Sequence, residues 1–189
     1  MDNAKTDAEK ARAIIDFLIA TSDDRIWASE LRFNGGNSRA DFWTLEPVAS
    51  KGFRATAYEV KVSRADFKRD NEAKQSDALR WSDRFWYITP PALIAKYEVP
   101  AWAGLMEWDG KSLAVIKRAP SRRKSEPNWD LVVSILRCTA ERGRDISLLK
   151  AQLAFYHHRD SERDRRDRIN NQFRTDRWLA KMQPSSESA

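Results

Sequence analysis

The chain has 189 residues, 41% hydrophobic and 33% charged, with a formal charge of +6; that size suits one domain with an appendage, and the eight tryptophans supply bulk for a core. The basic excess favours a polyanionic partner such as nucleic acid. Cys138 is the only cysteine, which excludes an intrachain disulfide and a cysteine-built zinc cluster, and no apolar run is long enough to span a membrane.

The opening residues Met1 to Glu9 are polar and lack the apolar stretch of a signal peptide, so a cytoplasmic location is expected. Thr6-Asp-Ala-Glu9 has the form of a capping box, and Ala13, Ile14, Phe17 and Leu18 share one helical face. The spacing predicts a helix from Asp7 to Ala20. Ile26 to Phe33 fits either a short helix or a strand, and it contains Glu30. Asn34-Gly-Gly-Asn37 is a turn or loop, because glycine and asparagine tolerate positive φ. Asp41 to Val48 is a strand, and Ser50-Lys-Gly52 turns the chain into the next one.

That next strand, Arg54 to Ser63, organises the rest. Thr56, Tyr58, Val60 and Val62 alternate with Ala55, Ala57, Glu59, Lys61 and Ser63. Ala65 to Trp81 reads as helical. Arg84 to Thr89 is an apolar strand stopped by Pro90-Pro91, and Ala92 to Tyr97 is a brief helix. Trp102 to Trp108, the turn Asp109-Gly110, and Ser112 to Lys117 form a hairpin. These elements predict an α/β domain with a mixed sheet flanked by helices over residues 1–120. A basic linker follows over 121–128, then a helical extension over 129–182 and a disordered tail over 183–189. Cys138 lies in an apolar run and reads as a buried structural thiol.

Glu59 and Lys61 fall on the same strand face, with two small alanines before them that leave room near the charges. Charges on an otherwise apolar strand are costly to bury without a purpose or a partner. Asp41 opens the neighbouring strand. Phosphodiester hydrolysis needs an activated water, neutralised phosphate charge and a stabilised leaving oxygen, and carboxylates holding Mg²⁺ supply much of this. Asp41 and Glu59 could share one Mg²⁺. Lys61 could orient or deprotonate the water, or stabilise developing charge. Glu30 could add a ligand or bind a second metal. The bare acid-x-Lys spacing also occurs at Asp66-Phe-Lys68, Glu72-Ala-Lys74 and Asp109-Gly-Lys111, where it reads as solvated surface. The bland alternative for Glu59 and Lys61 is an ion pair on a sheet edge.

Three segments carry a resemblance: Arg39-Ala-Asp-Phe-Trp-Thr-Leu45, Tyr58-Glu-Val-Lys-Val-Ser-Arg-Ala-Asp-Phe67 and Ser82-Asp-Arg-Phe-Trp-Tyr-Ile-Thr-Pro90. In this order they resemble the PD-(D/E)XK nuclease superfamily, in particular its MmcB-like branch associated with DNA repair. Val99 to Leu105 and Lys117-Arg-Ala-Pro120 fit the strands that close that domain. The resemblance implies a restriction-endonuclease-like fold and metal-dependent cutting of DNA, with Mg²⁺ as the cofactor and Mn²⁺ able to substitute. It makes Asp41 and Glu59 metal ligands and Lys61 the catalytic lysine, with Glu30 matching an upstream helix acid. After the lysine, Ser63 is a candidate helix cap, Arg64 and Lys68 are candidate phosphate contacts, and Lys74 or Gln75 a further polar residue of the site.

The expected function is therefore a DNA endonuclease in repair or mobile-element processing. The alternative is a non-catalytic nucleic-acid-binding or protein-interaction module on the same fold. Beyond Pro120 nothing resembles a known family. The run His158 to Arg168 has no apolar face and is either a solvated helix or disordered. The apolar ends of the C-terminal helices make a homodimer possible, and no membrane partner is expected.

Overall fold

The computed structural model describes residues 6–33 and 38–142 and, beyond them, positions 161, 162, 165, 166, 168 and 172. The first helix, α1 (Asp7–Ala20), starts at the expected capping box: the Glu9 amide donates to Thr6 Oγ1 at 3.3 Å, and the Thr6 amide donates to Glu9 Oε2 at 2.7 Å. Its apolar face buries Ile14, Leu18 and Ile19.

Six strands form one sheet in sequence order: β1 (Ile26–Phe33), β2 (Ser38–Leu45), β3 (Ala55–Val60), β4 (Arg84–Thr89), β5 (Gly104–Trp108) and β6 (Leu113–Lys117). The first three strands and the last pair run antiparallel, while β3, β4 and β5 run parallel. The sheet is thus mixed and the fold is α/β, as expected. The ambiguous segment after α1 is strand β1. The Asn34 to Asn37 turn lies outside the described residues.

Every residue of β3 is buried, because both sheet faces are covered. One buried cluster joins Trp43, Ala55, Ala57, Phe85, Tyr87, Leu105 and Leu131, with Phe67, Trp102 and Ile135 packed against it. Burying each such large side chain contributes roughly 1.5–3 kcal/mol. Trp81 and Trp86 are core residues, and Trp43 Nε1 donates to Ser82 Oγ at 3.2 Å. Gly104 has no freedom to carry a side chain: a Cβ there would overlap the Trp86 ring and the Ala119 backbone nitrogen.

Two predicted helices are different. The segment from Ala65 to Trp81 is two short helices, α2 (Arg64–Lys68) and α3 (Ser76–Arg80), with turns between. Asp70 and Asn71 break it. Asp70 Oδ1 accepts from the Asn71 amide at 3.1 Å and Asn71 Oδ1 from the Lys74 amide at 2.9 Å, local bonds that compete with the helix. Ala92 to Tyr97 is a turn with a single 3₁₀ turn, Lys96–Glu98. Ala92 sits at φ 57° and donates its amide to Glu107 Oε1 at 2.9 Å, which no α-helix would allow.

The basic stretch after Pro120 is not a free linker. The Arg122 amide donates to Asp83 O at 2.9 Å, the Ser125 amide to Arg80 O at 2.9 Å, and Lys124 Nζ reaches Asp83 Oδ2 at 2.8 Å. It leads into α4 (Trp129–Arg142), which packs against β1 and buries Leu131, with Ile135 and Cys138 partly covered. One compact unit therefore runs over Met1–Arg144, so α4 belongs with the sheet rather than with a separate extension from residue 129. The second unit is Asp145–Ala189. Its described positions, Ser161, Glu162, Arg165, Arg166, Arg168 and Gln172, are helical and exposed, in keeping with a solvated charged helix. The proposed dimerising ends and the tail lie outside the described residues. No helix among the described residues is long and apolar enough to cross a membrane.

Candidate active site

Strand register brings the two principal acids together. Phe42 pairs with Tyr58, and one step beyond that pair Asp41 and Glu59 come opposite each other on β2 and β3. Asp41 Oδ2 accepts from the Val60 amide at 2.8 Å, so the carboxylate caps the end of the shared ladder. Both side chains line a cleft of about 720 Å³ whose walls include Arg32, Arg39, Lys74 and Gln75.

Glu59 Oε1 accepts from Lys61 Nζ at 2.9 Å, whereas its Oε2 is buried without a hydrogen-bond partner among the described residues. Burial, and then the neighbouring Asp41 charge, raise the Glu59 carboxyl to about 7, against the opposing pull of Lys61. Asp41 is raised too, chiefly by burial, while the Val60 amide and the Lys61 charge restrain it. Two crowded carboxylates that resist ionising together form a place where a cation is electrostatically favoured.

Lys61 differs from the expectation that it opens into the same site. It is 2% exposed and does not line the cleft. Its ammonium contacts three carboxylates: Glu59 at 2.9 Å, Asp66 at 3.2 Å and Asp70 at 3.3 Å. Burial alone would push its pKa down, but Glu59, Asp70 and Asp66 together hold it well above the usual lysine range. Lys61 is thus held by Glu59, Asp66 and Asp70 rather than opening into the cleft. Asp66 is correspondingly a partly exposed partner of Lys61 and not merely solvated surface.

Glu30 is on strand β1, not on an upstream helix. The flanking pairs Ser29 with Phe42 and Leu31 with Ala40 set it opposite Asp41. Its backbone is left-handed, at φ 55°, and its half-exposed carboxylate pairs with Arg39 at 2.5 Å. Burial raises its pKa, with Arg39 opposing. Glu30 is therefore near the acid pair yet committed to Arg39, and it is absent from the cleft lining. Downstream, Ser63 caps α2 by accepting from the Asp66 amide at 3.3 Å. Arg64 is occupied by Glu98, at 2.5 Å, and by Leu93 O, at 2.9 Å.

Sequence reasoning missed Asp70 and Tyr87 and left Gln75 undecided. The Asp70 side chain is fully buried, and Gln75 Nε2 lies 2.9 Å from each of its carboxylate oxygens. The Tyr87 phenol neighbours Asp70, and it is raised by burial and then by the Asp70 and Glu59 charges. The available signal was the spacing of Asp66 and Asp70, four residues apart just after Lys61.

Hard carboxylate oxygens suit Mg²⁺ or Mn²⁺. The fit here rests on Asp41 and on the unpartnered Oε2 of Glu59. Among the described residues no group of three or more acid, histidine or cysteine side chains is arranged to hold a metal, so the protein would offer two ligands and leave the rest to water and substrate oxygens.

No protein-family model matches this chain, and no curated protein matches it. Among solved structures it is similar to SPO1766, a protein of unknown function from Silicibacter pomeroyi, with 24% identity and a TM-score of 0.55 over 78% of this chain and 93% of that one. That likeness concerns the fold alone.

Proposed function

We propose that the protein is a metal-dependent deoxyribonuclease of the PD-(D/E)XK type, acting as an endonuclease on DNA in repair or mobile-element processing. The observation that carries this reading is the opposition of Asp41 and Glu59 across β2 and β3 in a cleft that also holds Arg32, Arg39 and Lys74. The acids would hold Mg²⁺ or Mn²⁺, and the bound ion would supply charge neutralisation at the phosphate and a more acidic water. The basic side chains attract the DNA backbone into the cleft. Lys61 donates to Glu59 Oε1, which leaves Oε2 to face a cation, and its ammonium offsets part of the negative charge gathered there.

A second reading, a non-catalytic module that binds nucleic acid or protein, is favoured by one observation: the Lys61 ammonium is enclosed by carboxylates rather than presented to the cleft. Cleavage separates the two. Plasmid and single-stranded DNA are incubated with Mg²⁺ or Mn²⁺ and either wild type or Asp41→Asn. The variant keeps an oxygen for the Val60 amide, so it tests charge with little disturbance of the fold. Lys61→Ala is the poorer probe, because it strands three carboxylates around a cavity, and breaking such a buried cluster costs about 3–5 kcal/mol. The nuclease reading expects metal-dependent cutting by wild type, reduced at least about a hundredfold in Asp41→Asn. Salt-sensitive DNA binding without cutting, equal in both proteins, would move the assignment to the module.

A further inference from the structure

We propose that Asp70 is a positioning residue, which holds the Lys61 ammonium and through it Glu59 in the arrangement the site requires, and that Gln75 and Tyr87 hold Asp70 in turn. Its catalytic consequence rests on the nuclease reading; the positioning itself rests on geometry.

An ammonium has three N–H donors, and Lys61 is given three carboxylates. They are not equivalent. Glu59 belongs to the cleft, and Asp66 is partly exposed, with Arg69 also 3.5 Å from it. The Asp70 side chain is fully enclosed, and its nearest side-chain donor besides Lys61 is itself buried. Gln75, itself 2% exposed, spans both its oxygens at 2.9 Å. The Asn71 amide donates to Oδ1 at 3.1 Å, Lys74 Nζ lies 3.8 Å away, and the Tyr87 phenol is close enough to interact with the same carboxylate. Tyr87 is anchored by its ring, edge-on to Phe67 and Phe85, each 5.2 Å between centroids. Asp70 thus ties the end of β3 to β4 and to the start of α3.

The break between α2 and α3 has a use in this light. A continuous helix over 64–80 would keep Asp70 in the helix; the turn with its Asx bonds instead carries it to the ammonium, and it brings Gln75 to both Asp70 and the cleft wall. The connected chain runs from Tyr87 and Gln75 through Asp70 and Lys61 to Glu59 Oε1. Supporting groups of this kind set the geometry of the ligand in front of them, and their loss typically costs about 10- to 100-fold in activity or metal affinity.

Two variants test this. Asp70→Asn keeps the shape and an acceptor for Lys61, and the Gln75 amide can turn to meet the new NH₂. Tyr87→Phe removes a single hydroxyl and keeps the ring packing. The first readout is the ¹⁵N–¹H signal of the Lys61 ammonium in metal-free, DNA-free protein. Wild type should show one ammonium protected from solvent exchange. Exchange should rise about tenfold or more in Asp70→Asn and by a smaller factor in Tyr87→Phe. The second readout is DNA cleavage, where kcat should fall about 10- to 100-fold in Asp70→Asn with KM within about twofold of wild type. An ammonium signal unchanged in both variants would overturn the positioning role, and an altered signal with wild-type kcat would overturn its catalytic consequence. If Asp70→Asn does not fold, Tyr87→Phe decides by the same signal. Absence of cleavage by wild type would count against the nuclease reading alone, since the ammonium is measured without DNA or metal.

Discussion

The two oxygens of Glu59 have different surroundings: one holds Lys61 at 2.9 Å and the other is buried with no donor among the described residues. Its carboxyl, raised from 4.5 to about 7 by burial and by Asp41, makes stability depend on pH. The folded state binds a proton that the unfolded chain releases near 4.5. The resulting stabilisation is complete below that value and is lost as pH rises through about 7. Between pH 5 and pH 8, metal-free wild type should therefore lose on the order of 2–3 kcal/mol more than Glu59→Gln, as read by urea denaturation. Parallel losses in the two proteins would contradict this. At this scale the sequence was partly legible. Alternation along β3 correctly put Glu59 and Lys61 on one face, and the Asp41 pairing followed from adjacent strands. The enclosure of Lys61 was not legible, because Asp70 reaches it from the turn made by side-chain bonds of Asp70 and Asn71, and Asp66 from the short helix before that turn.

Elements were read best where a local signal coincided with burial. The Thr6–Glu9 capping box and the apolar face of α1 fixed both ends of that helix, and the Asp109-Gly110 turn fixed the β5–β6 hairpin. Charge-rich segments were read worst, since helical propensity over 65–81 says nothing of the local side-chain bonds of Asp70 and Asn71 that interrupt it. The strand β1 was ambiguous because Glu30, with a left-handed backbone, disrupts its alternation. Gly104 shows a constraint that composition hides. Gly104→Ala should destabilise the protein by about 1–3 kcal/mol, because the methyl must displace the Trp86 ring or the Ala119 backbone. Thermal or urea unfolding measures it, and a variant as stable as wild type would show that β4 and β5 are less closely packed than described.

On the scale of the whole molecule, a charge of +6 says little about where a polyanion would lie, whereas the fold gathers basic side chains at one cleft. Arg32 and Lys74 come from β1 and from the turn before α3, yet they line the same cleft as the acid pair. If they contact DNA phosphates, Arg32→Ala and Lys74→Ala should each lower the slope of log affinity against log salt by about 1, measured by fluorescence anisotropy in Ca²⁺ to prevent cutting. Unchanged slopes would place the DNA elsewhere. The mixed α/β sheet was legible from the order of apolar runs; the limit of the compact unit was not, because the apolar face of α4 gives no sign that β1 is its partner. The central claim is that Asp41 and Glu59 form one divalent-cation site, and the most direct measurement is Mn²⁺ binding followed by electron paramagnetic resonance. Wild type should bind Mn²⁺ at one such site, with affinity reduced at least about tenfold in Asp41→Asn and again in Glu59→Gln. No binding by wild type, or equal binding by all three proteins, would contradict the claim.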